Sequence, residues 1–273
     1  MRTNDFVKFI KAREQLRINK EAGKAVWTKD PILEVYRFCN VRREDDKVTR
    51  WIADNWRTPH ADEPDLWFAM VIARIFNKPS TLEAIGFPLP WKPAAVRRTL
   101  VARRAAGPIF NGAYIVSTNG KPGDKLEYLF EQVFAPLWRD RAKLRPVAGD
   151  TLDSYHKRLM KYDGLGSFMA AQIIADIKYV EPLLSTAPDW HTWAARGPGS
   201  WRGLNRVMER NVGDQWPGNT WQEALAKLHA AAAPKLAPLV LHAQDIQNCL
   251  CEFDKYERVR LGQGYPKQFY RRV

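Results

Sequence analysis

The chain has 273 residues, with 43 Lys and Arg against 30 Asp and Glu, which gives a formal net charge of +13. Hydrophobic residues make up 45% of it, a globular composition that excludes a disordered tail or a collagen-like chain. No stretch reaches the ~20 apolar residues that span a bilayer, and three cysteines are too few for a disulfide framework. We therefore expect a cytoplasmic protein without a membrane partner. The positive charge predicts an acidic partner, and nucleic acid is the first candidate.

Helical signals follow one another along most of the chain. Asp30-Pro31 predicts a helix start, and apolar residues then continue as far as Phe38. Thr220 with Glu223 predicts a capping box. The segments with helical periodicity or helix-start signals are 44–56, 64–76, 93–105, 124–143, 151–162, 167–180, 221–233 and 238–258. Only 113–118 resembles a strand, and a lone strand makes no sheet. The predicted fold class is mainly α.

A glycine-rich turn separates two of these helices. In the stretch LMKYDGLGSFMAA, the residues Gly164, Gly166 and Ser167 join them as in a helix-hairpin-helix. Such a turn lets the backbone come close to a ligand, and its N–H groups can face a DNA phosphate. An ordinary αα-hairpin with a glycine C-cap explains the same pattern, so both interpretations stay open.

Asp189 lies 23 residues after Gly166 and directly before Trp190. At this point the chain resembles helix-hairpin-helix DNA glycosylases, in which an aspartate at about this distance sits at the mouth of the flipped-base pocket. The lysine that some members place after the hairpin glycines is absent here, and Phe168 stands near that position. A Schiff-base lyase is therefore not expected. The alternative is that Asp189 caps a helix beginning at Trp190.

Three further blocks concentrate polar residues. The stretch 36–46 (YRFCNVRREDD) places arginines, an amide and carboxylates beside aromatic residues, which is costly unless they pair or bind a ligand. The stretch 196–203 (RGPGSWRG) has glycines and arginines that could cradle an anion. The stretch 245–256 carries polar pairs four residues apart on one helix. Each stretch also has a structural interpretation. The first can be a solvated corner between helices, the second a simple loop, and the third a terminal helix with internal ion pairs.

Basic residues recur on the predicted helices and at the end of the chain. They can form a track for DNA phosphates, or they can belong to a solvated face. These residues are Arg97, Arg98, Arg103, Arg104, Arg139, Arg141, Lys143, Arg145, Arg271 and Arg272. The sequence contains no G-x-x-x-x-G-K-[ST], H-E-x-x-H or C-x-x-C motif, so neither a P-loop site nor a zinc site is expected within it.

Six blocks together resemble one bacteriophage family. YRFCNVRREDD, ARIFNKP, NGAYIVSTNG, GLGSFMAAQIIADIKY, GPGSWRGLNR and CLCEFDKY occur in an order similar to that of α-glutamyl/putrescinyl thymine pyrophosphorylases. This family of amino acid:DNA transferases is related to the helical domain of 5-hydroxymethyl-deoxyuridine DNA kinases. The resemblance runs from about residue 30 to residue 260. Since no P-loop is present, the chain resembles the stand-alone transferases.

The resemblance implies a helix-hairpin-helix DNA glycosylase-like, two-lobed helical fold. We expect one domain with an N-terminal lobe over about 1–120, a hairpin lobe over about 121–215 and C-terminal helices over 216–273. The implied substrates are double-stranded phage DNA carrying modified uracil and a free amino acid or polyamine, whose amine replaces pyrophosphate on the base. The identity of the donor and the oligomeric state stay open. No organic cofactor is required, and a divalent cation such as Mg²⁺ can bridge the pyrophosphate.

The implied roles fall into three groups. The catalytic candidates, with Glu252 or Asp189 as general base, are Asp189, Glu252, Lys255 and Asp46. The candidates for binding substrate and pyrophosphate are Arg37, Asn40, Arg43, Asn111, Tyr114 and Arg202. The DNA-binding candidates are Gly164, Gly166, Ser167, Trp190, Arg97 and Arg98.

Two alternative functions compete with the transferase. A base-excising glycosylase acting on a modified pyrimidine would use Asp189 to activate water or to stabilise a sugar cation. A non-catalytic module that docks a separate 5-hydroxymethyl-uracil DNA kinase onto DNA would show affinity without turnover.

Overall fold

A computed structural model describes residues 1–112, 117–181 and 183–270. Over these residues the chain is mainly helical and has no strand, which confirms the predicted class. The β contact found there is an isolated antiparallel bridge between Tyr36 and Phe269. The segment that resembles a strand, 113–118, lies mostly outside the described residues. No described helix is both long enough and apolar enough to cross a membrane.

The α-helices are α1 (Thr3–Glu21), α2 (Pro31–Val35), α3 (Lys47–Ile52), α4 (Leu66–Phe76), α5 (Pro79–Ile85), α6 (Pro93–Ala105), α7 (Lys125–Tyr128), α8 (Ala135–Arg139), α9 (Arg141–Leu144), α10 (Leu152–Leu159), α11 (Ser167–Ile177), α12 (Pro198–Val207), α13 (Thr220–Leu236) and α14 (Ala243–Arg260). Arg43–Asp45 forms a 3₁₀ turn. Ala53–Arg57 and Leu129–Phe134 are π-helical continuations of α3 and α7.

Helix α2 starts as predicted and ends early. Asp30 Oδ1 accepts hydrogen bonds from the backbone N–H groups of Ile32 and Leu33, at 2.9 and 3.0 Å. The apolar run to Phe38 suggested a longer helix, and that extension is wrong. Tyr36 is extended, and the backbone N–H of Arg37 donates to the carbonyl of Gln268 at 3.1 Å. Pairing with the C-terminal segment therefore replaces the last helical turn.

Two predicted helix starts also need correction. Thr220 is the first residue of α13, and its hydroxyl donates to the carbonyl of Pro217 at 2.6 Å, so it forms no capping box with Glu223. The last helix begins at Ala243 and not at 238. At its start, Asp245 Oδ2 accepts a hydrogen bond from the backbone N–H of His242 at 3.4 Å and lies 3.1 Å from His242 Nε2.

The structure forms two compact units, which we describe separately. The terminal unit comprises residues 1–46 and 191–273. Helix α12 packs along α14, and a Cβ on Gly203 would overlap the backbone carbonyl of Leu250. Only glycine permits this approach. Helix α1 packs against α13 and α14 and contributes Phe6 and Phe9 to the core.

The central unit comprises residues 47–190. Every residue of α4 is buried, as its continuous apolar sequence predicts, and α4 packs against α11. Arg74 Nε donates to Asp176 Oδ2 at 2.6 Å, and Arg74 Nη2 donates to Thr49 Oγ1 at 3.1 Å. This buried ion pair joins the two helices. The lobes expected from the sequence, with limits near residues 120 and 215, stay a prediction.

Candidate functional site

Three of the polar blocks meet on α14 in the terminal unit. Side chains at three positions of this helix hold the backbone of the loop 39–43. The bonds join Asn248 Nδ2 to the Asn40 carbonyl (2.9 Å), the Arg43 N–H to Asp245 Oδ1 (3.1 Å) and the Cys39 N–H to Glu252 Oε2 (2.9 Å). Because positions 245, 248 and 252 share one helical face, α14 fixes this loop along two helical turns.

Glu252 and Lys255 form the ion pair of this site. Glu252 is 5% exposed, and its Oε2 accepts a hydrogen bond from Lys255 Nζ at 2.6 Å. Burial lowers the pKa of the Lys255 amine, but the charge and the hydrogen bond of Glu252, together with the neighbouring Cys39 and Cys251, outweigh that effect and leave this pKa above its usual value. Lys255 is therefore a cation at neutral pH. Its Nζ also lies 5.2 Å from the centre of the Phe38 ring.

Asn40 and Asp46 belong to the same loop. Asn40 Oδ1 accepts from Arg13 Nη2 at 2.6 Å, and Asn40 Nδ2 donates to the Asp45 carbonyl at 2.8 Å. Asp46 Oδ1 accepts from the backbone N–H of Asn40 at 3.2 Å. These bonds give Asn40 a fixed orientation beside α14. Its role in reading a pyrimidine stays a prediction.

Arginines approach α14 from α12. Arg202 Nε and Arg206 Nε each donate to one oxygen of the fully buried Asp254 at 2.9 Å. The Arg202 side chain is 37% exposed, so it still presents a guanidinium to solvent. Arg37, two residues before the loop 39–43, is exposed. We call Cys39, Asn40, Arg202, Glu252 and Lys255 the α14 site.

The sequence predicted no role for two thiols of this region, because cysteine number and spacing indicate only disulfides and metal sites. The Cys39 side chain is exposed, and Cys251 packs against Gly199 at the start of α12. The charge of Glu252 raises the pKa of the Cys39 thiol well above its usual range. Burial raises the pKa of Cys251 to about 11. Both are neutral thiols at pH 7. In the sequence, the one indication of their position is that each directly precedes a predicted site residue, Asn40 after Cys39 and Glu252 after Cys251.

The central unit contains the predicted hairpin. Gly164 has φ +77°, and a Cβ there would lie 2.7 Å from Val133 Cγ2, so this position requires glycine. Gly166 is the N-cap of α11, and a Cβ there would meet nothing within 4 Å. His156 Nε2 donates to the Ser167 carbonyl at 2.9 Å, which ties α10 to the first residue of α11.

Asp189 holds the other end of the hairpin. Its Oδ1 and Oδ2 accept from the backbone N–H groups of Leu152 and Asp153, at 2.7 and 3.1 Å, and so cap α10. The alternative that it caps a helix starting at Trp190 is wrong, because Trp190 lies in a turn and the next helix begins at Pro198. The indole of Trp190 donates to the Lys178 carbonyl at 2.6 Å, and Lys178 Nζ lies 3.8 Å from its ring centre.

Asn111, Arg97 and Arg98 also belong to the central unit. Asn111 Nδ2 donates to the Asn77 carbonyl at 2.8 Å, next to the end of α4. Arg97 and Arg98 are exposed on α6, and Arg97 lies 3.9 Å from Glu131. Tyr114, Arg271 and Arg272 lie outside the described residues. In the part of the chain that the structure describes, no group of three or more His, Cys, Asp or Glu side chains could hold a metal ion.

Comparison with known proteins identifies the family of the chain. A family model for the helical domain of 5-hmdU DNA kinase matches residues 1–265. A 5-hmdU DNA kinase of Bacillus phage SP10 is 26% identical in an alignment 209 positions long, which covers 67% of this chain and 32% of that protein. The match thus spans about a third of the relative's length. No solved structure matches the chain. The chain belongs to the family of 5-hmdU DNA kinase helical domains.

Proposed function

We propose that the chain modifies thymine-type bases in phage DNA as a transferase. It replaces the pyrophosphate of 5-pyrophosphoryloxymethyl-uracil with the amine of an amino acid or a polyamine. Membership of a family named for a phage DNA kinase supports the modified base as substrate. The net charge of +13 supports DNA as the carrier of that base.

The observation that carries this proposal is the pairing of Glu252 with Lys255 on α14. The reaction needs a base, because only a neutral amine attacks carbon, and it needs cations where the leaving charge develops. Glu252 is a buried carboxylate with one oxygen already bonded to Cys39 N–H and to Lys255. We propose that Glu252 is the general base and that Lys255 stabilises the charge of the leaving pyrophosphate.

The transfer has one bond formed and one broken. The amine nitrogen attacks the exocyclic methylene carbon as the bond from that carbon to the pyrophosphate oxygen breaks, with electrons of the uracil ring assisting departure. Glu252 takes the proton that the ammonium group loses. Lys255, Arg202 and Arg37 stabilise the charge on pyrophosphate, since guanidinium groups fit phosphate oxygens. No organic cofactor enters these steps, and a divalent cation such as Mg²⁺ would add positive charge for the leaving pyrophosphate.

The central unit supplies DNA contacts in this proposal. The open surroundings of Gly166 leave the start of α11 accessible to a phosphate, and Arg97 and Arg98 add exposed positive charge. A target base reaches an enclosed site by flipping out of the duplex. We infer that the helical fold is of the helix-hairpin-helix DNA glycosylase type. We also infer that the protein acts in the host cytoplasm.

Nucleoside mass spectrometry tests this proposal. DNA carrying 5-pyrophosphoryloxymethyl-uracil is incubated with the protein and a pool of amino acids and polyamines, and then digested to nucleosides. We expect release of pyrophosphate together with a heavier nucleoside whose mass identifies the donor. Loss of the base would indicate a glycosylase and would contradict the proposal.

A DNA-docking module for a kinase is the second candidate. The observation that favours it is the partial match to the SP10 relative. That protein is named as a kinase, and the match covers only 32% of its length. This function predicts DNA binding without release of pyrophosphate. The glycosylase alternative is weaker, because both oxygens of Asp189 already hold the start of α10.

A further inference from the structure

Exposed aromatic side chains cluster on the surface of the terminal unit. Tyr265 and Phe269 are 68% and 54% exposed, and both rings pack against Tyr36, directly after α2. The ring centre of Tyr36 lies 6.2 Å from that of Tyr265, with 25° between the ring planes, and 5.2 Å from that of Phe269. We call Tyr36, Tyr265 and Phe269 the aromatic platform. The proposed transfer uses none of these three residues.

Backbone and ring contacts hold the platform in place. Tyr36 forms the antiparallel bridge with Phe269, and the backbone N–H of Tyr270 donates to the Val35 carbonyl at 2.9 Å. The Tyr270 ring packs edge-to-face on Trp27, with 6.0 Å between the ring centres. The backbone next to Phe269 is therefore fixed while the ring of Phe269 stays exposed. Such a surface is already ordered before a ligand arrives, which lowers the entropic cost of binding.

Positive charge accompanies the platform. Arg37 and Lys267, which neighbour its rings in sequence, are both exposed. Within five positions of any of the three rings, the sequence has one acidic residue, Glu34. The stretch 258–273 has no Asp or Glu. Its basic residues are Arg258, Arg260, Lys267, Arg271 and Arg272, of which the last two lie outside the described residues. The platform is thus complementary in charge to a polyanion.

Exposed aromatic rings beside basic side chains are the combination with which proteins bind unpaired nucleotides. The rings stack on bases, and lysine and arginine neutralise the phosphates. A base inside a duplex has both faces covered by its neighbours, so a stacking surface favours a base that has left the helix. A protein partner could also cover aromatic residues, but the net charge of +13 and the lack of acidic residues over 258–273 favour nucleic acid.

We propose that the aromatic platform stacks on an unpaired base of the DNA, with Lys267 contacting an adjoining phosphate. The proposal rests on DNA as the partner in the proposed function, and it gives the terminal unit a DNA contact of its own. A target base that flips out of a duplex leaves its complementary base unpaired, so such a base is present whenever the site is filled. Arg37, proposed to stabilise pyrophosphate, directly follows Tyr36, so the platform adjoins the proposed site of transfer.

Binding of unmodified DNA tests the platform without any transfer. The probes are a duplex with one bulged thymidine and the same duplex fully paired, and fluorescence anisotropy gives their affinities for the full chain. We expect tighter binding of the bulged probe. Tyr265→Leu keeps an apolar side chain but removes the stacking face, so it should weaken binding of the bulged probe about tenfold, the loss of one base–aromatic stack.

Tyr265→Trp is the matched control, because it keeps a ring face and should bind the bulged probe as the wild type does. Equal affinity of the wild type for the two probes, equal loss in the Leu and Trp variants, or no loss in Tyr265→Leu would overturn the proposal. Urea unfolding of both variants should match the wild type, since the substituted side chain is largely exposed.

Lys267→Ala provides a second variant outside the ring contacts. It should reduce the slope of log K against log salt by about one unit and leave the preference for the bulged probe unchanged. An unchanged slope would remove Lys267 from the proposed contact. Sedimentation tests the competing occupant: if the wild type self-associates and Tyr265→Leu abolishes this without changing DNA affinity, a second copy covers the platform and the proposal is wrong.

The transfer assay keeps this proposal separate from the proposed function. If pyrophosphate is released and a heavier nucleoside forms, but bulge binding does not depend on Tyr265, the platform assignment fails and the transferase stands. If Tyr265-dependent binding of the bulged probe occurs without release of pyrophosphate, the transferase fails and the platform remains a DNA contact.

Discussion

The terminal and central units both bury charged side chains, but the partners of those side chains differ. In the terminal unit, Glu252 accepts from the Cys39 N–H and from the partly exposed Lys255. In the central unit, Asp176 bonds to Arg74 inside the core, and Asp189 caps α10. Burial alone therefore does not indicate chemistry. Glu252 differs from Asp176 and Asp189 in that its partner Lys255 is a partly exposed cation, whereas their partners are core side chains and a helix end.

The largest expected effect is a loss of turnover on substitution of Glu252 but not of Asp189. Glu252→Gln keeps an acceptor for the Cys39 N–H but removes the base, so release of pyrophosphate should fall about 1000-fold. Asp189→Asn keeps one acceptor for α10, so turnover should change little while the free energy of unfolding falls by about 1 kcal/mol. Single-turnover assays and urea unfolding measure the two quantities. The opposite ranking of turnover losses would move the chemistry to the central unit.

The glycines provide a stability comparison between the units. A Cβ in Gly203→Ala would collide with the Leu250 carbonyl and force α12 from α14, so we expect a loss of about 3 kcal/mol in the free energy of unfolding. Gly164→Ala meets Val133 at positive φ and should also destabilise the protein. Gly166→Ala is the control and should cost under about 1 kcal/mol. A large cost at Gly166 in urea unfolding would contradict the open surroundings of that glycine.

The hairpin should respond to acid through His156. Burial lowers the pKa of this imidazole below its usual value, so the unfolded chain binds a proton more readily than the folded one. The stabilisation is complete above the unfolded-state pKa of about 6.5 and declines as the pH falls through it. Thermal unfolding of the wild type and His156→Gln at pH 5 and pH 8 measures this. Gln keeps a donor for the Ser167 carbonyl but cannot ionise, so an equal drop in Tm for both proteins would exclude His156 as the source.

The smallest effect concerns single arginines of the central unit. Arg98→Ala should reduce the slope of log K against log salt for DNA binding by about one unit if Arg98 contacts a phosphate. Arg139→Ala is the control, because the Arg139 guanidinium already donates to Asp140 at 3.1 and 3.2 Å. Equal slopes for both variants and the wild type would remove α6 from the DNA contact surface.

Local pattern predicted much of the fold. The continuous apolar run of α4 and the helical periodicity of α6 gave boundaries close to those observed, because both signals act within a few residues. Helix α1 gave no such signal, since its buried residues include Arg13 and Glu14, which interrupt the apolar pattern. The partners of Arg13, the Phe38 carbonyl and Asn40 Oδ1, lie 25 and 27 residues away.

The candidate site was predictable in parts only. Dense charges beside aromatic residues indicated the blocks around Asn40 and Glu252, but not that they meet. The Cys39–Glu252 bond joins residues 213 positions apart, and no local spacing predicts it. Local spacing also failed for Asp189. Its distance in sequence from Gly166 suggested a place at a base pocket, but its carboxylate accepts from the backbone N–H groups of Leu152 and Asp153.

The most direct measurement of the central claim is the stoichiometry of transfer. DNA carrying 5-pyrophosphoryloxymethyl-uracil is incubated with ¹⁵N-labelled amino acids, and released pyrophosphate and labelled nucleoside are quantified in the same sample for the wild type and Glu252→Gln. The account predicts one labelled nucleoside for each pyrophosphate with the wild type, and a joint loss of both with Glu252→Gln. Pyrophosphate release without incorporation of label, or full incorporation by Glu252→Gln, would contradict it.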